Sequence, residues 1–169
     1  MIGFIDESSM QLFPNKRRVV NTKVATYTEG SERRSKTIFG FMALNGKDVV
    51  MVSDTARKED MNRFVELIRR RNGDGKPILA VMDNVPTHRA TIVKESCERL
   101  RIERTFLPPY SPDLNPIEFG WKDAKRELSS ILEFDKMARA SRRTVLRLLE
   151  ERKNGYADYW IRSFLRAEG

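Results

Sequence analysis

Three carboxylate residues of this chain stand where secondary-structure elements are expected to begin or end. Asp6 follows a short apolar segment, and Asp83 follows the continuous apolar run Ile78–Met82. Glu118 stands in the first turn of a predicted helix, behind a proline-rich loop at residues 107–116. Carboxylate oxygens suit Mg²⁺ and Mn²⁺, and two such ions about 3.5–4 Å apart can cut and join phosphodiesters. The three residues therefore indicate metal-dependent phosphoryl transfer.

The segments around these carboxylates carry a second, more specific signal. They read Phe4-Ile-Asp-Glu-Ser8, Met82-Asp-Asn84 followed by His88, and Leu107-Pro-Pro-Tyr-Ser-Pro-Asp-Leu-Asn-Pro-Ile-Glu118. In these segments the chain resembles the catalytic domain of DDE transposases of the mariner type and their prokaryotic insertion-sequence relatives. Between the second and third carboxylates lie 34 residues, which is the spacing of one large branch of that family. The third segment is long and highly specific, the second is moderately so, and the first is weak alone.

The resemblance covers about residues 1–132 and implies a fold as well as an activity. It implies an α/β domain of the ribonuclease H-like type, a mixed sheet flanked by helices with extra C-terminal helices. We expect residues 1–132 to form the catalytic domain and residues 133–169 to form a helical extension of it. The implied activity is cleavage of transposon ends and joining of the 3′-hydroxyl to target DNA. Full-length members also carry an N-terminal helix-turn-helix region, so we do not expect this chain to recognise element ends by itself.

The resemblance also implies roles for particular residues. Asp6, Asp83 and Glu118 are the implied catalytic and metal-binding residues, with two Mg²⁺ ions per site and Mn²⁺ as a substitute. We hypothesise that Asp6 bridges the two ions while the other two carboxylates each complete one. Asn84 and His88 are accessory candidates near the second carboxylate. Glu7 is expected to be a non-ligand, because alternation along a strand turns it to the face opposite Asp6.

The charge of the chain favours a polyanionic partner. The net charge is +8, and residues 15–36 hold seven basic residues against two acidic ones. Residues 122–166 hold twelve basic residues against seven acidic ones. We expect double-stranded DNA, both transposon ends and target, to be the partner. The predicted DNA-binding residues are Lys16, Arg17, Arg18, Arg33, Arg34, Lys36, Lys122 and Lys125.

Other compositional features narrow the class of protein. No apolar run approaches the roughly 20 residues of a membrane helix, so no membrane partner is expected. The single cysteine, Cys97, excludes an internal disulfide framework and a cysteine-built zinc site. We expect a cytoplasmic protein, nucleoid-associated if the host is prokaryotic. A homodimer is implied by the resemblance alone.

The hydrophobic pattern predicts the elements that position these residues. Strands are predicted at residues 1–13, 37–44, 48–52, 78–82 and 102–107, with a type I′ turn at Asn45-Gly46. Amphipathic helices are predicted over residues 58–71 and after Pro116, with Asn115 as the N-cap of the latter. Two further helices are predicted, one ending near Leu149 and one at residues 156–165. This order of strands and helices predicts helices packed on a sheet.

Simpler interpretations remain open for several of these residues. Asp6 and Asp83 have the form of ordinary strand-end or turn residues, and Glu118 stands at capping-box spacing from Asn115. A lone histidine such as His88 is more often structural than catalytic. Lys122 and Lys125, which follow Glu118 on one helix flank, suit a solvated surface equally well.

Two other functions are compatible with the sequence. One is a general ribonuclease H-like nuclease, such as a junction resolvase or an RNA/DNA-hybrid hydrolase. The other is a truncated regulator that binds DNA or the transposase and represses transposition. The proline-rich third segment argues against the first, and the intact set of carboxylates argues against the second.

Overall fold

A five-stranded mixed sheet forms the centre of the molecule. The structure is a computed structural model that describes residues 1–11, 35–109, 111–131 and 134–167. The strands are β1 (Ile2–Gln11), β2 (Ser35–Ala43), β3 (Val49–Ser53), β4 (Ile78–Met82) and β5 (Ile102–Phe106). Their order across the sheet is β3-β2-β1-β4-β5. The β1–β2 and β2–β3 pairs are antiparallel, whereas β1–β4 and β4–β5 are parallel.

Helices cover both faces of this sheet. They are α1 (Lys58–Asn72), α2 (Pro86–Arg89), α3 (Thr91–Arg99), α4 (Ile117–Leu128) and α5 (Phe134–Ala167). One core contains Ile5 of β1 with residues of α1 and α3, and the other contains Phe4 of β1 with residues of α4 and α5. Successive residues of β1 thus enter different cores, as strand alternation requires. The predicted α/β fold, a mixed sheet flanked by helices, is confirmed.

Two central parallel strands bring the first two carboxylates together. Ile5 of β1 pairs with Met82 of β4. Asp6 is the next residue of β1, and Asp83 directly follows the end of β4. They therefore lie side by side at the carboxyl edge of the parallel pair, where ligand sites of α/β sheets usually form. The prediction that Asp6 ends a strand is wrong, because β1 continues to Gln11 through its antiparallel pairing with β2.

The predicted type I′ turn is wrong. Five residues, 44–48, join β2 to β3, and neither Asn45 nor Gly46 has the positive φ that this turn needs. Two side chains of this longer loop hold it by accepting hydrogen bonds from backbone amides. Asn45 Oδ1 accepts a hydrogen bond from the Ile2 amide at 2.9 Å, and Asp48 Oδ1 accepts one from the Ala43 amide at 2.8 Å.

The prediction of two separate C-terminal helices is also wrong, because α5 runs without a break from Phe134 to Ala167. The predicted gap between the two helices, at residues 150–155, is helical, and contacts with α4 hold this part of α5 in place. Arg152 Nη1 and the Tyr156 hydroxyl each donate to Asp123 Oδ2 at 2.8 Å. The rings of Phe119 and Tyr156 are stacked with centroids 6.0 Å apart. In the described parts of the chain, no helix is long and apolar enough to cross a membrane.

Helix α4 presents the apolar stripe that its sequence predicted. Ile117, Trp121, Ala124 and Leu128 are all buried, whereas Glu118 is exposed on the flank. The helix begins one residue later than predicted, and its N-cap is Pro116, which has no side-chain cap. The predicted role of Asn115 as N-cap is therefore wrong, since its backbone carbonyl alone joins the first turn, accepting from the Glu118 amide at 3.0 Å.

Candidate active site

Asp6 is the most buried of the three carboxylates. Its relative exposure is 7%, and the indole Nε1 of Trp121 donates a hydrogen bond to its Oδ2 at 2.9 Å. Burial and the nearby Glu118 carboxylate raise the pKa of Asp6 to about 7, against the lowering effect of the Trp121 hydrogen bond. Such a carboxyl is costly to ionise without a cation beside it.

A glycine on the neighbouring strand makes room for the indole ring. Gly40 of β2 is the pairing partner of Asp6 in β1. A Cβ at Gly40 would lie 2.6 Å from Cη2 of Trp121 and 2.9 Å from Cδ1 of Ile117. The close approach of α4 to the sheet, and with it the hydrogen bond to Asp6, requires glycine at this position.

Asp83 is held from the other face of the sheet by His88 of α2. The His88 ring is fully buried, and its Nδ1 lies 2.7 Å from Asp83 Oδ1 and 3.0 Å from the Asp83 carbonyl oxygen. The opposite ring nitrogen, Nε2, lies 2.8 Å from Glu7 Oε2. Burial alone would lower the pKa of His88, but the hydrogen bonds to Asp83 and Glu7 outweigh it and raise the pKa to about 10. Both ring nitrogens thus face carboxylate or carbonyl oxygens, which favours the protonated ring.

The third carboxylate completes a pocket at this edge of the sheet. A cavity of about 440 Å³ is lined by Asp6, Asp83 and Glu118 together with Asn84, Asn115 and the prolines of both adjoining loops. The three predicted carboxylates thus come from three distant segments to one pocket. Asn84, an accessory candidate, also lines the pocket. His88, the other accessory candidate, does not line the pocket but contacts the Asp83 carboxylate.

The polar groups of this pocket suit a divalent cation. Asn115 is 3% exposed, and its side-chain Oδ1 has no hydrogen-bond partner. The Oδ1 of Asp83 makes an ion pair with His88 but no well-aligned hydrogen bond. A buried oxygen without a donor is costly, and a hard cation or its bound water would satisfy it. Oxygen-only donors in a half-open acidic pocket fit Mg²⁺ or Mn²⁺ better than softer metals.

The capping-box interpretation of Glu118 is wrong. That motif needs the Asn115 side chain to accept from the helix amides, and Asn115 Oδ1 has no partner. The Glu118 side chain is exposed at the pocket instead.

The structure places only some of the basic residues predicted to bind DNA. Lys16, Arg17, Arg18, Arg33 and Arg34 lie outside the described residues. Lys36 on β2 forms an ion pair with Asp54. Lys122 and Lys125 are exposed on α4, and Lys122 lines a second cavity of about 290 Å³ that shares Glu118 and Asn115 with the first. Positive charge therefore borders the acidic pocket along α4.

Sequence reasoning missed three contributors to this site. Glu7 does point to the face opposite Asp6, as alternation predicted, yet it reaches the site through His88. Trp121 lies on the buried stripe of α4, and its indole nitrogen also donates a hydrogen bond to Asp6. Asn115 was expected only to cap a helix. A buried polar atom on an apolar stripe was the signal available for Trp121, since an indole N–H requires an acceptor when it is buried.

Comparison with known proteins identifies the family. Residues 1–139 match the family described as DDE superfamily endonuclease. The chain belongs to this family. No curated protein sequence matches the chain.

Solved structures show the same fold at low sequence identity. The cryoEM structure of the simian T-cell lymphotropic virus intasome in complex with PP2A regulatory subunit B56 gamma is 13% identical, with a TM-score of 0.57 over 83% of this chain and 46% of that one. The Mos1 strand transfer complex is 18% identical, with a TM-score of 0.52 over 93% of this chain and 54% of that one. The Mos1 transposase catalytic domain with raltegravir and Mg is 15% identical, with a TM-score of 0.56 over 94% and 82%. The chain thus spans about half the length of the first two.

Proposed function

We propose that this chain is the catalytic domain of a DNA transposase from a mariner-related insertion sequence. It would cleave the ends of its element and join the freed 3′-hydroxyl to target DNA. One observation carries the proposal: Asp6, Asp83 and Glu118, which lie far apart in the sequence, line a single pocket in a domain of the DDE endonuclease family. A transposase catalytic domain of the same fold was solved with Mg, which agrees with this assignment.

Asp6, Asp83 and Glu118 would hold two Mg²⁺ ions, for which Mn²⁺ can substitute. Bound ions of this kind activate the attacking oxygen and stabilise the leaving oxygen. Asp6, at the centre of the pocket, would contact both ions, and the proton it carries near neutral pH would leave when a cation binds. Asn115 would offer its unpaired Oδ1 to a bound water or to an ion directly.

The other residues of the pocket would bind and orient the DNA. Lys122 and Lys125 are exposed beside Glu118, where their ammonium groups can contact phosphates of the strand that enters the pocket. Their position on one flank of α4 would direct the DNA backbone along this helix. The basic residues between positions 16 and 34 are proposed to hold flanking or target DNA, and a homodimer would hold two ends together.

A general ribonuclease H-like nuclease is the second candidate. The same pocket would support hydrolysis without strand transfer, because only the attacking hydroxyl differs. The proline-rich segment before Glu118, which matches the transposase motif, favours the first candidate.

The test is cleavage and strand transfer on labelled duplex DNA with Mg²⁺ or Mn²⁺. The wild type should nick or join the duplex, and Asp83→Asn, Asp6→Asn and Glu118→Gln should each lower the rate by at least about 100-fold. Glu103→Gln, an exposed change on β5, is the matched control and should retain full activity. Hydrolysis without any joining would favour the general nuclease. Activity that survives Asp83→Asn would contradict the assignment of the site.

A further inference from the structure

His88 forms a buried link between two carboxylates on different strands. Its ring is 0% exposed, with Nε2 lying 2.8 Å from Glu7 Oε2 and Nδ1 lying 2.7 Å from Asp83 Oδ1. Glu7 itself is only 15% exposed at its side chain, whereas Asp83 is 44% exposed. The link therefore runs from the protein interior, through one imidazole, to a carboxylate at the pocket.

Two hydrogen bonds hold the main chain of His88 in place. The His88 amide donates to the Val85 carbonyl at 3.1 Å, within the short helix α2. From β5, Arg104 Nη1 donates to the His88 carbonyl at 2.8 Å. Because the main chain is held, the ring can move only by rotation about its own side-chain bonds. The two carboxylate contacts limit that rotation. Any change of these contacts would change the orientation of the Asp83 carboxylate.

A metal ion bound by Glu7, Asp83 and His88 together is a poor alternative. The two carboxylates contact opposite nitrogens of the ring, and a single ion binds only one of them. A ring whose Nε2 faces Glu7 and whose Nδ1 faces Asp83 explains the same distances without an ion, since each ring nitrogen already has an oxygen partner. Carboxylates that bind metals are commonly held in turn by hydrogen bonds from neighbouring groups.

We infer that Glu7 and His88 are positioning residues, which hold the Asp83 carboxylate so that it faces the pocket shared with Asp6 and Glu118. This inference rests on the proposed function, since it assigns Asp83 to the metal-binding set. Glu7 fixes the ring from the interior, and the ring fixes Asp83. Neither residue contacts the reacting groups.

The first test measures Mn²⁺ binding by calorimetry, without DNA and without turnover. Glu7→Ala should weaken Mn²⁺ binding roughly 10-fold or more, as losses of supporting groups commonly do. Glu7→Gln should recover most of the affinity, because its amide oxygen still accepts from His88 Nε2. Glu103→Ala, on an exposed position of β5, is the matched control for loss of a strand glutamate. Circular dichroism confirms that each variant is folded.

The second test uses the fact that His88 is the single histidine of the chain. Nitrogen-15 spectra therefore contain one set of ring signals, and these signals report on the contacts of His88 with Glu7 and Asp83. The measurement is made on the wild type, so it does not depend on the folding of any variant. Mg²⁺ should shift these signals saturably in the wild type and leave them unchanged in Asp83→Asn. Ring signals insensitive to Mg²⁺ would overturn the inference.

The two tests separate this inference from the proposed function. Mn²⁺ binding that requires Asp83 but is equal in the wild type and Glu7→Ala would overturn the positioning role and leave the metal site standing. A Glu7→Gln variant as weak as Glu7→Ala would also overturn it, since the hydrogen bond would then be irrelevant. A wild type that binds no Mn²⁺ would overturn the proposed function, and this inference with it.

Discussion

The indole nitrogen of Trp121 donates a 2.9 Å hydrogen bond to the carboxylate of Asp6, across 115 positions of sequence. This contact joins helix α4 to strand β1 at the centre of the candidate site. Since Glu118 lies on the same helix three residues earlier, the hydrogen bond also fixes the distance between two of the three carboxylates. The position of α4 on the sheet is therefore part of the geometry of the site.

Trp121→Phe should lower the rate of metal-dependent cleavage while reducing the free energy of unfolding only moderately. Phenylalanine keeps an apolar ring but lacks the donor, so the pKa of Asp6 should rise above its present value of about 7. The rate of Mn²⁺-dependent cleavage should fall at pH 7 and recover in part at higher pH, where Asp6 ionises. The free energy of unfolding should decrease by about 1–3 kcal/mol. A pH–rate profile with chemical denaturation checks both effects.

Leu128→Ala is the control for this substitution. It removes buried volume from the same stripe of α4, but two helical turns further along. It should cost about 2–5 kcal/mol of stability and leave the midpoint of the pH–rate profile unchanged. If Trp121→Phe also left the midpoint unchanged, the hydrogen bond would have no influence on Asp6.

Gly40→Ala should disturb the site through Trp121. The new methyl group would lie 2.6 Å from the indole Cη2, so the ring has to move away from Asp6. Overpacking of this kind typically costs about 1–3 kcal/mol. The two substitutions should be less than additive, because phenylalanine at position 121 lacks the second ring that meets the methyl group. Denaturation of the two single variants and the double variant measures this coupling, and full additivity would contradict it.

Gly75→Ala is the matched glycine control. A Cβ at this position would meet no atom within 4 Å, and Gly75 does not have a positive φ. Stability and activity should equal those of the wild type or exceed them slightly, since alanine restricts the unfolded chain.

The metal-free protein should lose stability through Asp6 as the pH rises. The carboxyl has a folded pKa of about 7 against the ordinary aspartate value of 3.8, so the folded state binds the extra proton between these pH values. The contribution of this group is fully present below about pH 4 and is lost as the pH rises through about 7. One pKa unit corresponds to about 1.4 kcal/mol, so the loss is on the order of a few kcal/mol.

Asp6→Asn removes the titrating carboxyl, so comparing the variant with the wild type measures how the stability depends on pH through Asp6. With EDTA present, the variant should gain stability relative to the wild type as the pH rises from about 4 to about 7, as chemical denaturation will show. Asp158→Asn, on an exposed position of α5, is the matched control for the loss of one carboxylate. Mg²⁺ should stabilise the wild type above pH 7 and leave Asp6→Asn nearly unchanged. A pH-independent difference for Asp6→Asn would contradict the raised pKa.

The sequence predicted those parts of the site that depend on local pattern. The apolar run of β4 and the stripe of α4 were correct, because burial imposes regular spacing on each element. The proximity of Asp6 and Asp83 needed one further condition, that β1 and β4 be neighbours, which the structure confirms. Local pattern together with the family resemblance thus pointed to the three carboxylates that line the pocket.

The hydrophobic pattern of the sequence could not predict the side-chain contacts between these elements. Strand alternation placed Glu7 on the correct face, but it could not reveal that His88 reaches that face from α2. The predicted gap at residues 150–155, which contains Gly155, was wrong for a similar reason, since Asp123 of α4 binds Arg152 and Tyr156 on either side of this glycine. Tertiary contacts outweigh the weak helix propensity of a single glycine.

Gly155→Ala should stabilise the protein, because α5 is continuous through this position. Glycine inside a helix costs about 0.5–1 kcal/mol relative to alanine, and a Cβ at this position would meet no atom within 4 Å. The free energy of unfolding should therefore rise by about that amount. Gly155→Pro should have the opposite effect, since proline in a helix interior costs about 3 kcal/mol. The paired variants, compared by helical circular dichroism and denaturation, test the continuity of α5 directly: if the chain broke at this position, alanine would bring no gain and proline little loss.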